Sequence, residues 1–272
     1  MNKFRSIFTH KNSVIGMIHV GALPGTPRYQ GSIQRLVENA CQEANIYKNS
    51  GVDAVMIENM HDIPYVRSKE LGPEIVSAMT RVTTEVKKVI PHIPCGIQIL
   101  AGGNKEALSI AKACDLQFIR VEGFVFSHIG DEGFIDASAG SLLRYRRFID
   151  AESVLIFSDI KKKHSSHQIT SDINIVETAL AAQFFLSDAV VISGSTTGSP
   201  VNQDELKETK SAVEIPVIVG SGVTINNMEC YVEADAFIVG SHFKKYGKWE
   251  NDIFEENVKL FMEKINNLRK TT

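Results

Sequence analysis

Short apolar runs rich in β-branched residues recur along the chain at 14–20, 54–58, 95–100, 117–123, 154–160, 189–193, 216–220 and 236–240. Between them lie longer stretches with apolar residues at helical spacing, among them 33–49, 74–89, 105–113, 173–185 and 253–268. Runs of the first kind, bounded by Gly, Pro, Asn or Asp, read as buried strands, and stretches of the second kind as helices. Their alternation predicts βαβ units and a parallel sheet. Eight such units in 272 residues fit an α/β fold of the (β/α)8 or TIM-barrel type, which typically takes about 250 residues. A doubly wound sheet is the rival arrangement. The units fill the chain, so a single domain over 1–272 is expected, with 1–13 as a short N-terminal arm.

A weak repeat marks the strand beginnings. GVDAVMI, ACDLQFI, LSDAVVI and EADAFIV each place an aspartate (Asp53, Asp115, Asp188, Asp235) just before an apolar run. A short acidic side chain there satisfies backbone donors at the helix-to-strand turn, which is a structural role on the stability face of a barrel. The opposite connections differ in length. Helix-to-strand turns are short, whereas the strand-to-helix segments 21–32, 59–73, 124–138, 161–172 and 194–203 are long. Long connections in α/β units are usually functional, and these fall at the carboxyl ends of strands, where barrel active sites are built.

Composition narrows the function classes. With 29 Lys and Arg against 32 Asp and Glu, the formal charge is -3, which lacks the basic excess of a nucleic-acid binder. No apolar run reaches the roughly 18 residues of a membrane span. Cys41, Cys95, Cys114 and Cys230 lie far apart without CxxC spacing, so they read as reduced thiols in a reducing compartment, giving a cytoplasmic expectation. The start MNKFRSIFTHK is basic and free of acid, as in an organellar presequence, but it leaves little room before the first strand. A short solvated arm is expected, with an organelle such as the mitochondrion kept open. Association as a homo-oligomer is the base-rate expectation.

The last two strands end in PVIVGSGVT and AFIVGSHF. Glycines let backbone amides approach an anion, and a helix N-terminus behind them adds donors. These are the two strands after which phosphate often binds in such barrels. Gly220, Ser221, Gly222, Gly240 and Ser241 are therefore the phosphate candidates, extended by Ser193, Gly194, Ser195 and Thr196 of SGSTTGSP. The alternative is tight-turn glycines with no ligand.

Ionisable residues gather at other strand ends: His19, Glu58, Glu122 and Asp159, with Gln98 and Arg120 nearby. By period-two alternation Glu58, Gln98, Glu122 and Asp159 point toward the mouth, where a buried carboxylate exchanges protons. Glu58 and Asp159 are the leading catalytic candidates. Arg120 and Glu122 read as a structural ion pair, and Asn59 as a ligand contact beside Arg120 and Gln98. The run Lys161 to His167, KKKHSSH, supplies Lys163 and His164 as an anion clamp, a Schiff-base lysine or a general acid, with at most two lysines facing inward. Glu58, Asp159, His19 and Glu122 could also hold a divalent metal, but no HxH, HExxH or DxD spacing supports it, so no metal or other cofactor is predicted. No GxGxxG or Walker sequence is present.

The segments GMIHVGALPGTP (16–27), VMIENMHDIPY (55–65), FIRVEGFVFSH (118–128), RYRRFI (144–149), SDIKKKHSSH (158–167), SGSTTG (193–198), VGSGVT (219–224) and VGSHFK (239–244) together resemble the BtpA family, which includes SgcQ-like proteins. The resemblance spans about 13–262 and implies a TIM barrel. It also implies a spread of roles: cyanobacterial relatives are associated with photosystem I biogenesis, SgcQ-like relatives accompany sugar-phosphate genes, and some carry a nucleoside-triphosphatase label. Many bacterial members have an RND-like sequence where this chain has AGGN (101–104). The expectation is an enzyme acting by acid/base chemistry on a small phosphorylated ligand, a phosphosugar or phosphoribosyl compound. A non-enzymatic assembly factor and a metal-dependent phosphohydrolase are the alternatives.

Overall fold

A computed structural model describes residues 3–271. Eight parallel strands close into a barrel: β1 (Ser13–His19), β2 (Ala54–Glu58), β3 (Cys95–Gln98), β4 (Phe118–Val121), β7 (Leu155–Ile160), β9 (Ala189–Ile192), β10 (Val217–Val219) and β11 (Ala236–Val239). Three short strands, β5 (His128–Gly130), β6 (Gly133–Ile135) and β8 (Ser165–Ser166), form a separate antiparallel sheet in the order β6-β5-β8. Helices α2 (Ile33–Ser50), α3 (Pro73–Val89), α4 (Asn104–Ala113), α5 (Ala139–Phe148), α6 (Ile175–Phe184), α7 (Gln203–Ala212) and α8 (Glu255–Thr271) follow seven barrel strands. After β10 the short connection carries only a 3-10 turn, Met228–Tyr231.

Local chemistry sets the element ends. The Ser32 hydroxyl accepts the Arg35 amide and starts α2, and Gly51, at φ 74°, ends it. Asn174 and Glu177 cap α6 reciprocally, each side chain accepting the other's amide. The strand-start aspartates do what the repeat predicted at three of four positions. Asp53 accepts the Val14 amide (2.7 Å), Asp188 that of Ile156 (2.9 Å) and Asp235 that of Val217 (2.8 Å), so each ties its turn to the preceding barrel strand. In the fourth unit Asp115 sits at φ 52°, and Gln117 takes over, accepting the Cys95 amide at 2.8 Å.

The barrel interior is layered by the period-two alternation. Inward positions low in the strands are apolar: Ile15 and Met17, Ala54 and Met56, Phe118, Leu155 and Phe157, Ala189 and Val191, Ile218, Ala236 and Ile238. Phe118 and Phe157 stack with centroids 4.9 Å apart. Gly96 leaves the room for this, because a Cβ there would lie 2.1 Å from the Phe118 ring.

The N-terminal segment departs from expectation. It is not a solvated arm. Helix α1 (Lys3–Ile7) crosses the barrel floor, and Phe4 and Phe8 are fully buried against Phe118 and Phe157. The physical reason is the i, i+4 spacing of two phenylalanines, which puts both on one helical face where the open barrel end offers apolar surface. Arg5 on the same segment pairs with Asp235. All four cysteines are free thiols. Among the described residues, no helix is long and apolar enough to cross a membrane.

Candidate functional site

At the top of each strand the next inward position changes character. His19, Glu58, Gln98, Arg120, Asp159, Ser193, Gly220 and Gly240 succeed the apolar residues in the alternation. Strand register sets His19 beside Glu58 and Glu58 beside Gln98, so these three share a layer. On β10 and β11 the side chain is missing altogether, and that side of the mouth opens into a corner.

Arg120 anchors the polar layer. Its Nε and Nη2 donate to the two carboxylate oxygens of Asp159 at 2.9 and 2.8 Å, and Nη2 also donates to Ser193 Oγ at 3.3 Å. Both residues are buried. The predicted Arg120–Glu122 pair is thus corrected: Arg120 takes Asp159, because the fork geometry matches a carboxylate on the neighbouring strand β7. Glu122 pairs instead with Lys162, at 3.1 Å, and accepts the Gly102 amide at 3.0 Å. Asn104 grips the Glu122 backbone, donating to its carbonyl at 2.7 Å, so the AGGN segment positions this carboxylate.

Glu58 has no such clamp. Among the described residues the one basic group within ion-pair distance is His19, with Nε2 3.7 Å from Oε2. Burial raises its proton affinity, against the pull of Arg120 and Lys163. Burial lowers the proton affinity of His19, and Lys244 adds to the effect. His19 Nδ1 lies 3.2 Å from the Trp249 carbonyl, which only accepts, so the ring proton sits on Nδ1 and Nε2 faces Glu58 bare. Burial thus acts on the two in opposite senses, toward a protonated Glu58 and a neutral imidazole. Gln98 is also buried in this layer, with Oε1 unpartnered.

The adjacent lysines differ. Lys162 is held by Glu122 and by Glu132 (3.4 Å); burial depresses its proton affinity, but the two carboxylates outweigh it and the net shift is upward. Lys163 has no hydrogen bond or ion pair at Nζ among the described residues, and burial together with Arg120 lowers its proton affinity. Lys161 turns away, donating to the Thr170 carbonyl at 3.2 Å. His164 Nε2 accepts the Thr197 amide at 3.2 Å, joining the loop after β7 to the loop after β9.

The mouth holds two joined cavities. One, of about 160 Å³, is the glycine corner, lined by Gly220, Ser221, Gly222, Gly240 and Ser241 together with His19, Thr197 and Gly198. The amides of Gly222 and Val223 have no hydrogen-bond acceptor among the described residues. The other, of about 380 Å³, is lined by Gln98, Glu122, Asp159, Lys162, His164 and Trp249. Glu58, Arg120, Lys163, Met60 and Thr197 line both. The antiparallel sheet roofs this space and brings in Glu132.

Several candidates lie elsewhere. Asn59 is fully buried and lines neither cavity: it accepts the Leu100 amide (2.7 Å) and donates to Asp62 (2.8 Å). Gly194 and Ser195 also lie outside the cavities. The Gly194 amide donates to Ser221 Oγ at 3.0 Å, which ties two loops, and the Ser195 carbonyl accepts the His164 amide. Ser193 is spent on Arg120. Of that loop Thr197 and Gly198 reach the corner, and Thr196 the larger cavity. The single tryptophan, Trp249, was not foreseen; it packs on His61 at 5.0 Å. Among the described residues no group of three or more His, Cys, Asp or Glu side chains comes together as a metal-ligand set.

These features define a (β/α)8 barrel whose glycine corner and ionisable groups share one mouth. The BtpA family model matches residues 10–267, and the chain belongs to that family. An uncharacterised mitochondrial protein of Caenorhabditis elegans is 46% identical over 261 residues, covering 94% of each chain. The photosystem I biogenesis protein BtpA of Synechocystis is 33% identical over 265 residues, covering 97% of this chain and 91% of its own. Among solved structures, (S)-3-O-geranylgeranylglyceryl phosphate synthase of Thermoplasma acidophilum, in complex with sn-glycerol-1-phosphate, superposes with a TM-score of 0.61 at 17% identity, covering 97% of each chain.

Proposed function

We propose that the mouth binds a small phosphorylated compound and acts on it by proton transfer. The observation that carries this reading is the glycine corner, where Gly222 and Val223, whose amides have no acceptor among the described residues, line the same cavity as Glu58 and Lys163. Backbone donors of this kind suit a phosphoryl group. Gly240 leaves the corner wide, and the Arg120 guanidinium, held in place by Asp159, adds a fixed positive charge nearby. A phosphoryl group anchored there directs the rest of a sugar-sized molecule toward Glu58 and Gln98. Glu58, with its raised proton affinity, is the group that gives and takes the proton, while Asp159 acts through Arg120 as a positioning residue. The structurally similar synthase, in complex with a glycerol phosphate, agrees with this use of the fold.

The test is thermal unfolding against paired ligands at millimolar concentration: ribose 5-phosphate with ribose, and glycerol 1-phosphate with glycerol. Phosphorylated members should raise the midpoint and their dephosphorylated partners should not. At about 100 times Kd the gain is about 2.7 kcal/mol. Gly240→Asp, which puts a carboxylate into the corner, should abolish it. Equal shifts for both members of each pair, or none for any, would overturn the reading.

A second reading, assistance in assembling a partner complex, is favoured by one observation. The outer end of α6 exposes Leu180, Phe184, Phe185 and Leu186. If this surface is the working one, Phe184→Glu should abolish function in a complementation assay and Glu58→Gln should not.

A further inference from the structure

The loop after β7 presents two consecutive lysines to one cavity and treats them oppositely. Lys162 is clamped by Glu122 and Glu132, whereas Lys163 Nζ has no hydrogen-bond or ion-pair partner among the described residues. Of the strand-end carboxylates around it, Asp159 has both oxygens committed to Arg120, and Glu58 lies beyond ion-pair distance, so neither gives Lys163 an ion pair. Lys161 and His164, on either side of the two lysines, adopt left-handed backbone at φ 49° and 53°, which non-glycine residues take at a cost. Burial, and after it the fixed Arg120 guanidinium, favour loss of the Lys163 proton against the opposing pull of Glu58, Asp159 and Glu122. Lys163, like Glu58, lines both the glycine corner and the larger cavity, so both residues border a ligand that spans the two.

We propose that Lys163 is a covalent nucleophile for phosphorylated aldehydes or ketones. This rests on the phosphate reading of the corner and names the substrate class: a phosphorylated compound with a free carbonyl. The neutral amine donates its lone pair to the carbonyl carbon, the C=O π pair moves to oxygen, and the ammonium proton passes to that oxygen to give a carbinolamine. Glu58 then protonates the hydroxyl, the C–O bond breaks with its electron pair, and one water leaves as the nitrogen forms an iminium. No oxidant or reductant enters the step.

Pyridoxal 5′-phosphate, a general phosphorylated aldehyde, is the probe, with pyridoxal as the control lacking phosphate. The intact protein is incubated with each, reduced with borohydride and mapped by peptide mass, while thermal midpoints are read on the unreduced mixtures. Lys163 should be the principal labelled lysine, favoured over surface lysines by about tenfold for each unit its proton affinity is lowered. Inorganic phosphate should suppress the labelling. Lys163→Met and Lys163→Arg should each remove the adduct, with an unliganded thermal midpoint near the parent's showing that each folds. Labelling of Lys163 no greater than that of surface lysines, with the thermal shift intact, overturns the imine and leaves the phosphate reading standing. Equal labelling of Lys163 by pyridoxal supports the amine's reactivity and overturns the phosphate reading.

Discussion

The two ends of the barrel are built from the same strands and solve opposite problems. At the floor, Phe4, Phe8, Phe118 and Phe157 fill the interior, and the amides of Val14, Ile156 and Val217 are each met by an aspartate. At the mouth, at the strand tops and in the loops beyond them, Gln98 Oε1, Lys163 Nζ and the Gly222 and Val223 amides have no partner among the described residues. A buried polar atom without a partner costs stability, so the convergence of such atoms at one end is the physical ground for proposing a ligand there. The comparison teaches that stability and chemistry are divided along each strand, not between different strands.

Changes at the two ends should therefore fail in different ways. Phe157→Ala opens a cavity in the sealed end and should cost about 3–5 kcal/mol in urea unfolding. Well below its lowered midpoint the variant should still show the phosphate-dependent thermal shift. Asp159→Ala should be of similar size, about 3–5 kcal/mol, because it leaves a buried guanidinium held only by Ser193. Unlike the floor variant it should also weaken ligand binding, and adding Arg120→Met should recover stability but not binding. If the double variant is no more stable than the single one, the ion pair is not the reason for the loss.

Glu58→Gln should separate the ends most cleanly. A carboxyl whose folded proton affinity is raised contributes stability that is fully present below its ordinary pKa of 4.5 and lost as pH rises through the folded value. The glutamine variant should match the parent in acid and exceed it above that window. Turnover should fall by about 10²–10⁴ if Glu58 transfers the proton. The smallest effect is expected at His128 in the roof sheet, which is buried with Nε2 unpartnered among the described residues and has its pKa lowered to about 4, chiefly by burial and then by Lys162. Its contribution is present above pH 6.5 and lost as pH falls toward about 4. His128→Gln should flatten the slope of urea midpoints in that interval.

Much of the fold was legible because local rules and tertiary structure agree. The apolar runs at 54–58 and 236–240 became strands within a residue, and the short turns and long loops separated the stable face from the site face. The strand-end residues Glu58, Gln98, Arg120 and Asp159 converge as their alternation required. What escaped depends on contacts distant in sequence. Asp159 stands on β7 and Arg120 on β4, 39 positions apart, and only barrel closure shows that they form the pair. The roof sheet joins strands of two and three residues from separate loops, too short for periodicity to reveal. Asn59 looked like a site residue because it adjoins Glu58, but the next position points to the opposite side of the wall. The N-terminal plug did leave a signal, FRSIF, whose i, i+4 phenylalanines are a buried helical face.

The central claim is that the glycine corner holds a phosphoryl group facing Glu58 and Lys163. A crystal structure of the protein with ribose 5-phosphate, at a concentration that saturates the thermal shift, tests it most directly. The account predicts phosphoryl oxygens within hydrogen-bond distance of the Gly222 and Val223 amides, with the sugar carbons extending toward Glu58. A ligand seated elsewhere, with the corner filled only by water, would contradict it.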